Sequence, residues 1–211
     1  MLNVEEFVCP ELRVAVCHVK EAAKAVLHTI VVCRSIGGTV PMDPSSVYSD
    51  LLDLTYMRTD EPVVEQSLED ALRQAAELFE GRTRAQLTLS FFTRGKRSIW
   101  GLLLGDEKVV FEQWRLPVLI RPPRRFSNPA DNLREEADLQ TSASAQVQQA
   151  LLFVVGKVNY KVEHLPPPSD EGSYEFEVSL ECDGKSLIGA PARPLIGTSL
   201  SKTIKHLPYM A

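Results

Sequence analysis

The sequence lacks the short motifs by which common enzymes are detected. It contains neither of the usual glycine-rich phosphate loops and no HExxH metal motif. The segment from Gly197 to Ser201 is missing the final glycine of a hydrolase nucleophile elbow. The 4 histidines share no metal-ligand spacing with one another or with the 4 cysteines. We therefore predict no catalytic residues, no metal site and no cofactor.

Signals for disulfides, export and membrane insertion are also scarce. The cysteines, Cys9, Cys17, Cys33 and Cys182, include no CxxC pair. Acidic residues interrupt the start of the chain, where a signal peptide would be apolar. The longest apolar runs fall far short of the length needed to span a bilayer. We expect a cytoplasmic protein with reduced thiols and without a transmembrane segment.

Positive charge is not in excess, because the chain has 23 Lys and Arg residues and 28 Asp and Glu residues, for a net charge of -5. Proteins that bind nucleic acid usually present a basic face, so this function is not expected. The one basic cluster contains Arg121, Arg124 and Arg125 in a stretch broken by prolines. We interpret it as a solvated linker, with a contact to phosphate or lipid as the alternative.

The apolar residues that are present alternate between a period of two and a helical period. This pattern predicts an α/β (α+β) fold in one domain covering residues 1–211. The helices are predicted at about 19–35, 60–80 and 144–158, and the strands at about 12–16, 52–57, 87–91, 108–120 and 174–180. The first helix is apolar over a wide arc, so it should pack on a sheet and be covered from a second side.

Proline, glycine and polar residues predict the connections. Residues 39–50 read as a loop, and residues 121–142 read as a flexible connector without apolar periodicity. Pro117 cannot donate to a strand ladder, so its strand should be an edge there or carry a bulge. Asp183 and Gly184 form a hairpin-type dipeptide. From residue 190 onward we expect an irregular C-terminal strap.

Residues 94–107 contain an unusual apolar group between glycines. Trp100, Leu102 and Leu103 lie in a segment predicted to be a loop, where exposed apolar side chains are normally avoided. One interpretation is that the loop folds back into the core. The other is that it projects, with the tryptophan as an anchor for a partner, because an aromatic ring contributes a large contact area at small entropic cost.

Several short sequences, in order along the chain, carry a resemblance to a known family. They are the helical sequence from Ala25 to Ser35, the strand from Asp53 to Arg58, Leu89 to Phe92, Phe111 to Trp114, and Glu163 to Pro166. Together they resemble the autophagy-related protein 101 family, whose members are HORMA-domain subunits of the autophagy-initiation kinase complex. The resemblance implies a HORMA domain, with a central mainly antiparallel sheet, three helices and a C-terminal strap.

The resemblance also implies a function. In that family the protein pairs with the HORMA domain of autophagy-related protein 13, stabilises it, and recruits downstream autophagy factors through a tryptophan–phenylalanine loop at the phagophore assembly site. Trp100 matches the tryptophan, whereas Leu102 replaces the phenylalanine, and Leu103 is a second apolar candidate. Pairing predicts an exposed apolar patch, for which the first helix and the stripe from Val147 to Val158 are candidates.

Two other functions remain open at this point. The chain resembles HORMA proteins in general, so it is alternatively a peptide-clamping adaptor of the checkpoint or meiotic type. It is also alternatively an enzyme with an unrecognised site, which would require a deep polar pocket containing residues of perturbed pKa.

Overall fold

A computed structural model of the chain describes residues 4–35, 44–79, 82–99, 102–160, 162–167, 174–182, 185–189 and 193–194. Its helices are α1 (Val16–Ser35), α2 (Pro62–Phe79) and α3 (Pro129–Tyr160). Its strands are β1 (Glu5–Val8), β2 (Leu12–Val14), β3 (Pro44–Ser49), β4 (Leu54–Thr59), β5 (Arg84–Ile99), β6 (Leu102–Ile120), β7 (Glu175–Cys182), β8 (Lys185–Gly189) and β9 (Arg193–Pro194).

The main sheet has the strand order β1-β6-β5-β7-β8, with β2 also paired to β6 and β9 to β7. The pairs β5–β6, β5–β7, β7–β8 and β7–β9 are antiparallel, whereas β1 and β2 run parallel to β6. The predicted fold, mixed α/β with a mainly antiparallel sheet and three helices, is therefore confirmed. The strand pair expected on both sides of Asp183 and Gly184 is present, with Cys182 opposite Lys185, although those two residues lie outside the described ranges.

Pro117 lies where the ladder on one side of β6 is interrupted. Val8 of β1 is opposite Arg115, and Leu12 of β2 is opposite Val118, so neither strand pairs with the proline between them. On its other side β6 continues its pairing with β5. Pro117, which has no N–H to donate, therefore lies where one edge of β6 is locally unpaired. Of the two predicted alternatives, an edge or a bulge, the structure shows the edge.

Strands β5 and β6 form a long hairpin instead of the loop predicted over residues 94–107. Their pairing continues to Ile99 opposite Leu102, while β7 accompanies β5 only from Gln86 to Phe92. The outer part of the hairpin is therefore a ribbon of two strands beyond the main sheet. The glycines and basic residues suggested a loop, but ladder hydrogen bonds between the two strands satisfy the backbone here.

The first helix, α1, lies at the centre of the molecule. Its apolar residues Val19, Val26, Ile30 and Val31 are fully buried, as the wide apolar arc predicts. α1 packs against α2, α3 and the strand β4, in addition to contacts with the sheet. The expectation that this helix is covered from more than one side is confirmed, and its arc is consequently not available to a partner.

Helix α3 begins at Pro129, so the flexible connector predicted over 121–142 is wrong from that residue onward. Asn128 caps the helix, because its Oδ1 accepts a hydrogen bond from the Ala130 N–H at 3.1 Å. Pro129 occupies the first helical position, where proline is favoured, and Asp131 lies in the first turn, where a negative charge is favourable. Apolar periodicity did not reveal this part of the helix, because Leu139 is the one large apolar residue of its inward stripe, between Glu135 and Ala143.

A separate hairpin of β3 and β4 packs on α1. β3 pairs along its whole length, from Pro44 opposite Thr59 to Ser49 opposite Leu54. The prediction of a loop over 39–50 is therefore wrong for residues 44–49, where proline and serines stand in an edge strand. No helix within the described ranges is long and apolar enough to cross a membrane.

Candidate functional site

The predicted protein-binding residues lie at the end of the β5–β6 hairpin. Trp100 itself is outside the described residues. Leu102 and Leu103 are the first residues of β6, with their backbones opposite Ile99 and Ser98 of β5. These two leucines therefore belong to the two-stranded ribbon beyond the main sheet.

The base of this hairpin is braced by charges on three strands. Phe92 is fully buried, and Lys108 Nζ lies 4.5 Å from the centre of its ring. Arg94 lies over the same ring at 5.8 Å and donates from Nε to Glu175 at 2.9 Å. Lys108 in turn forms an ion pair with Glu177. These contacts join β5 and β6 to β7 at the level where the ribbon leaves the sheet.

A buried ionic group, which we call the Glu112 centre, joins α1, β6 and the segment after α3. Glu112 is fully buried, and its Oε1 accepts a hydrogen bond from Arg34 Nε at 2.8 Å and another from the Trp114 indole N–H. Its Oε2 lies 2.5 Å from His164 Nε2. Arg34 also donates to the Val158 carbonyl of α3 at 3.3 Å. Both carboxylate oxygens are therefore partnered.

The Glu112 centre brings together three of the short sequences that carry the family resemblance. Arg34 belongs to the sequence in α1, Glu112 and Trp114 to the sequence in β6, and His164 to the sequence after α3. Sequence reasoning missed this centre. The available signal was a carboxylate in the inward register of β6, in line with Trp114 and Leu116, where an unpaired charge is expensive to bury.

A second buried group, the His28 centre, lies between α1, α2 and β4. His28 is fully buried, and its Nε2 is 3.2 Å from Glu65 Oε2. The two atoms are not aligned for a hydrogen bond, and neither ring nitrogen of His28 has a hydrogen-bond partner among the described residues. Glu65 Oε1 accepts from Lys24 at 2.8 Å, and Arg58 lies 3.9 Å away.

Burial explains the shifted pKa values of the titratable groups. The pKa of His28 is lowered to about 4, chiefly by burial, while Lys24 and Arg58 act in the same direction and Glu65 opposes them. Burial also raises the pKa of the Cys9 thiol to about 12 and that of Tyr56 to about 12. Among the described residues no group of three or more His, Cys, Asp or Glu side chains is arranged to hold a metal.

Large apolar side chains are exposed on the C-terminal half of α3. Leu152 is 75% exposed and Tyr160 is 76% exposed, and together with Phe153 and Gly156 they line one shallow surface of the helix. The stripe predicted as a candidate patch, from Val147 to Val158, faces the opposite way and is buried. The exposed residues therefore form a second apolar side of α3, which we call the α3 face.

The α3 face borders the edge strand β1. A hollow of about 340 Å³ lies between them, lined by Phe7 and Val8 of β1 and by Phe153, Lys157 and Tyr160 of α3. Glu5 and Glu6 complete the lining of this hollow. An apolar centre with charged residues at its border is the usual composition of a protein interface.

Comparison with known proteins was made by sequence. A sequence model of the family described as Autophagy-related protein 101 matches residues 11–171, which is well over half of the chain. The chain belongs to the autophagy-related protein 101 family. The resemblance predicted from the short sequences is thereby confirmed, and the chain is an autophagy-related protein.

Curated relatives agree with this family membership over nearly the full length. Autophagy-related protein 101 from Arabidopsis thaliana is 25% identical over 203 residues, which cover 89% of this chain and 92% of that protein. The proteins of the same name from Xenopus tropicalis and Xenopus laevis are each 26% identical over 212 residues, covering 90% of this chain and 89% of theirs. The part of the chain that the family model matches includes the β5–β6 hairpin, both buried centres and the α3 face.

Proposed function

We propose that this member of the autophagy-related protein 101 family is a non-catalytic adaptor with a HORMA domain. In this proposal it pairs with the HORMA domain of autophagy-related protein 13, stabilises that domain, and joins the autophagy-initiating kinase complex at the phagophore assembly site. The observation that carries the proposal is the α3 face, a large apolar surface on a protein of this family.

The α3 face has the composition that pairing needs. A stable protein pair buries on the order of 800 Å² on each partner, with an apolar core and a polar rim. Leu152, Phe153 and Tyr160 supply apolar groups, and Lys157 stands at the border with the acidic residues of β1. Apolar groups held on a regular helix present little entropy to lose on docking, so they suit a lasting complex.

Gly156 lies within the α3 face. A Cβ atom added at this position would meet no heavy atom within 4 Å, so nothing inside the chain requires a glycine there. Glycine in a helix interior costs about 1 kcal/mol relative to alanine. A partner that approaches the helix backbone closely would account for its presence.

The pairing proposal is tested with two leucines of the same helix. Leu152 is 75% exposed within the α3 face, and Leu133 is 67% exposed some distance along α3. We expect Leu152→Asp to weaken pairing with the HORMA domain of autophagy-related protein 13 by at least about 2 kcal/mol, as for a residue at an interface centre. Leu133→Asp is the matched control and should pair normally.

Isothermal titration calorimetry with the purified partner domain measures both affinities. Thermal melting of each variant checks that the fold is intact, since substitutions at exposed sites usually change stability by less than about 0.5 kcal/mol. Equal pairing of the two aspartate variants would refute the assignment of the α3 face.

Recruitment of downstream factors is proposed to depend on the end of the β5–β6 hairpin, through Trp100 with Leu102 and Leu103. We expect Trp100→Ala with Leu102→Ala to leave melting and pairing unchanged while reducing capture of autophagy factors by the complex. Truncation of a core tryptophan would instead cost about 3–5 kcal/mol of stability. A large fall in melting temperature would therefore show that Trp100 is structural and would overturn this part of the proposal.

A further inference from the structure

The segment between β6 and α3 combines unpaired positive charge with an exposed aromatic ring. Residues 121–130 are exposed without exception, and they include Arg121, Arg124, Arg125 and Phe126. Phe126 is 42% exposed. A solvated linker would need no aromatic residue at such a position. We call residues 121–126 the basic ridge.

The basic ridge is held in place by the first turns of α3. Phe126 donates its N–H to Asn132 Oδ1 at 2.8 Å and accepts from Asn132 Nδ2 at 2.9 Å. Glu135 accepts from the Arg124 N–H at 3.4 Å and lies 3.9 Å from the Arg121 guanidinium. These contacts fix the backbone while the ring of Phe126 faces solvent. The ridge is therefore pre-organised, which the interpretation as a linker did not anticipate.

Two of the three arginines are not neutralised within the part of the chain that the structure describes. Arg121 has Glu135 nearby, but Arg124 and Arg125 have no ion pair there. The whole chain carries a net charge of -5, so positive charge here is a local feature. An anionic partner would complement this charge.

The shape of the ridge favours a membrane over an acidic peptide. All six residues of the basic ridge are exposed and none of them lines a described pocket, whereas a bound peptide is usually received in a groove or along a strand edge. Arginines beside a projecting aromatic ring suit the boundary between lipid headgroups and acyl chains, where each group finds its preferred surroundings.

We propose that the basic ridge docks the protein on membranes rich in anionic lipids. Arg124 and Arg125 bind the headgroups, and Phe126 enters the interfacial layer. The ridge begins where β6 ends, roughly 60 Å along that strand from the end of the β5–β6 hairpin, at about 3.3 Å per residue. It also lies roughly 35 Å along α3 from Leu152, at 1.5 Å per residue. Membrane contact is thus compatible with pairing and does not rest on the proposed function.

The test is flotation of the full chain with vesicles. One vesicle preparation contains phosphatidylcholine alone, and the other contains equal parts of phosphatidylcholine and phosphatidylserine. We expect binding only to the anionic vesicles, weakening as salt is added. Because each arginine near an anionic surface contributes about a fivefold gain, Arg124→Ala with Arg125→Ala should lower the partition coefficient about 25-fold. Phe126→Ala should lower it severalfold, including at high salt.

The control variant, Arg73→Ala with Arg115→Ala, removes the same charge from exposed or partly exposed sites elsewhere and should bind almost normally. Thermal melting of every variant excludes loss of fold as the cause. Absence of binding to anionic vesicles, or an equal loss in the control variant, would overturn the proposal. Binding of the ridge to a soluble polyglutamate peptide, but not to the vesicles, would also overturn the proposal. That result would identify an acidic protein segment as the partner.

Discussion

The Glu112 centre and the His28 centre are both buried against α1, but they differ in how completely their polar atoms are partnered. Both oxygens of Glu112 have partners, from Arg34, Trp114 and His164, and the one buried polar atom of this centre without a partner among the described residues is Arg34 Nη2. In the His28 centre, neither nitrogen of His28 has a hydrogen-bond partner among the described residues. Of the two Glu65 oxygens, Oε1 has a partner there and Oε2 does not. A buried ion with full coordination fixes geometry, whereas an unsatisfied one lowers stability.

The two centres also lie in different parts of the molecule. The Glu112 centre lies under the end of α3, where Arg34 binds the carbonyl of Val158, a residue on the buried side of the helix opposite the α3 face. The His28 centre lies on the other side of α1, toward α2 and the β3–β4 hairpin. We infer that the first centre positions the proposed pairing surface, while the second is a weak point in the packing of α2.

Breaking the Glu112 centre should have the largest effect. Glu112→Gln leaves the Arg34 guanidinium buried without its counter-charge, so we expect a loss of about 3–5 kcal/mol of unfolding free energy. Denaturant titration measures this loss. A second variant, Glu112→Leu with Arg34→Met, removes both charges and should recover a large part of the stability. A loss below about 1 kcal/mol for Glu112→Gln would show that the centre is less important than its burial indicates.

Acidification should expose the weakness of the His28 centre. The folded-state pKa of His28 is lowered to about 4, below the ordinary value of 6.5, so the unfolded chain binds a proton that the folded chain does not. Stability should therefore be constant above pH 6.5 and fall as the pH drops toward 4, by up to about 3 kcal/mol from this residue. Unfolding measured between pH 7 and pH 5 follows the upper part of this window.

The matched variant His28→Leu should remove most of that pH dependence. Burial also lowers the pKa of His18, which contributes in the same direction and remains in the variant. Lys24, Arg58, Glu65 and Glu69 are the charged groups around His28. An unchanged slope in His28→Leu would contradict the assignment of the pH dependence to this centre.

The outermost ion pair beside the His28 centre should have the smallest effect. Lys20 pairs with Glu69, and both side chains are more than a third exposed. Solvent screening therefore limits the loss in Lys20→Ala to less than about 1 kcal/mol. Lys24→Met, at the better buried neighbouring position, should cost more than Lys20→Ala in the same thermal denaturation series. The reverse order would show that burial does not control these pairs.

Much of the fold could be predicted from apolar periodicity. The helices α1 and α2 and the strand β7 have long apolar patterns on one side, and each was found close to its predicted position. The first half of α3 could not be found in this way, because Glu135 and Ala143 stand in its inward stripe. The capping pattern of Asn128 and Pro129 was the available local signal for its start.

The functional surfaces depended more on tertiary structure. The periodicity of α3 shows that Val147 and Val154 share a side, but only packing against α1 decides that this side is buried and that Leu152 is exposed. The Glu112 centre likewise combines residues more than 100 positions apart, such as Arg34 and His164. The sequence carried the family resemblance of these segments without indicating that they meet.

The most direct test of the account is hydrogen exchange along α3 with and without the HORMA domain of autophagy-related protein 13. The account predicts that pairing slows exchange in residues 152–160 and in the adjoining β1, while residues 129–140 exchange as before. It also predicts little change around His28, because that centre faces away from the α3 face. Protection confined to the N-terminal half of α3 or to α2, with none over 152–160, would contradict the assignment of the α3 face as the pairing surface.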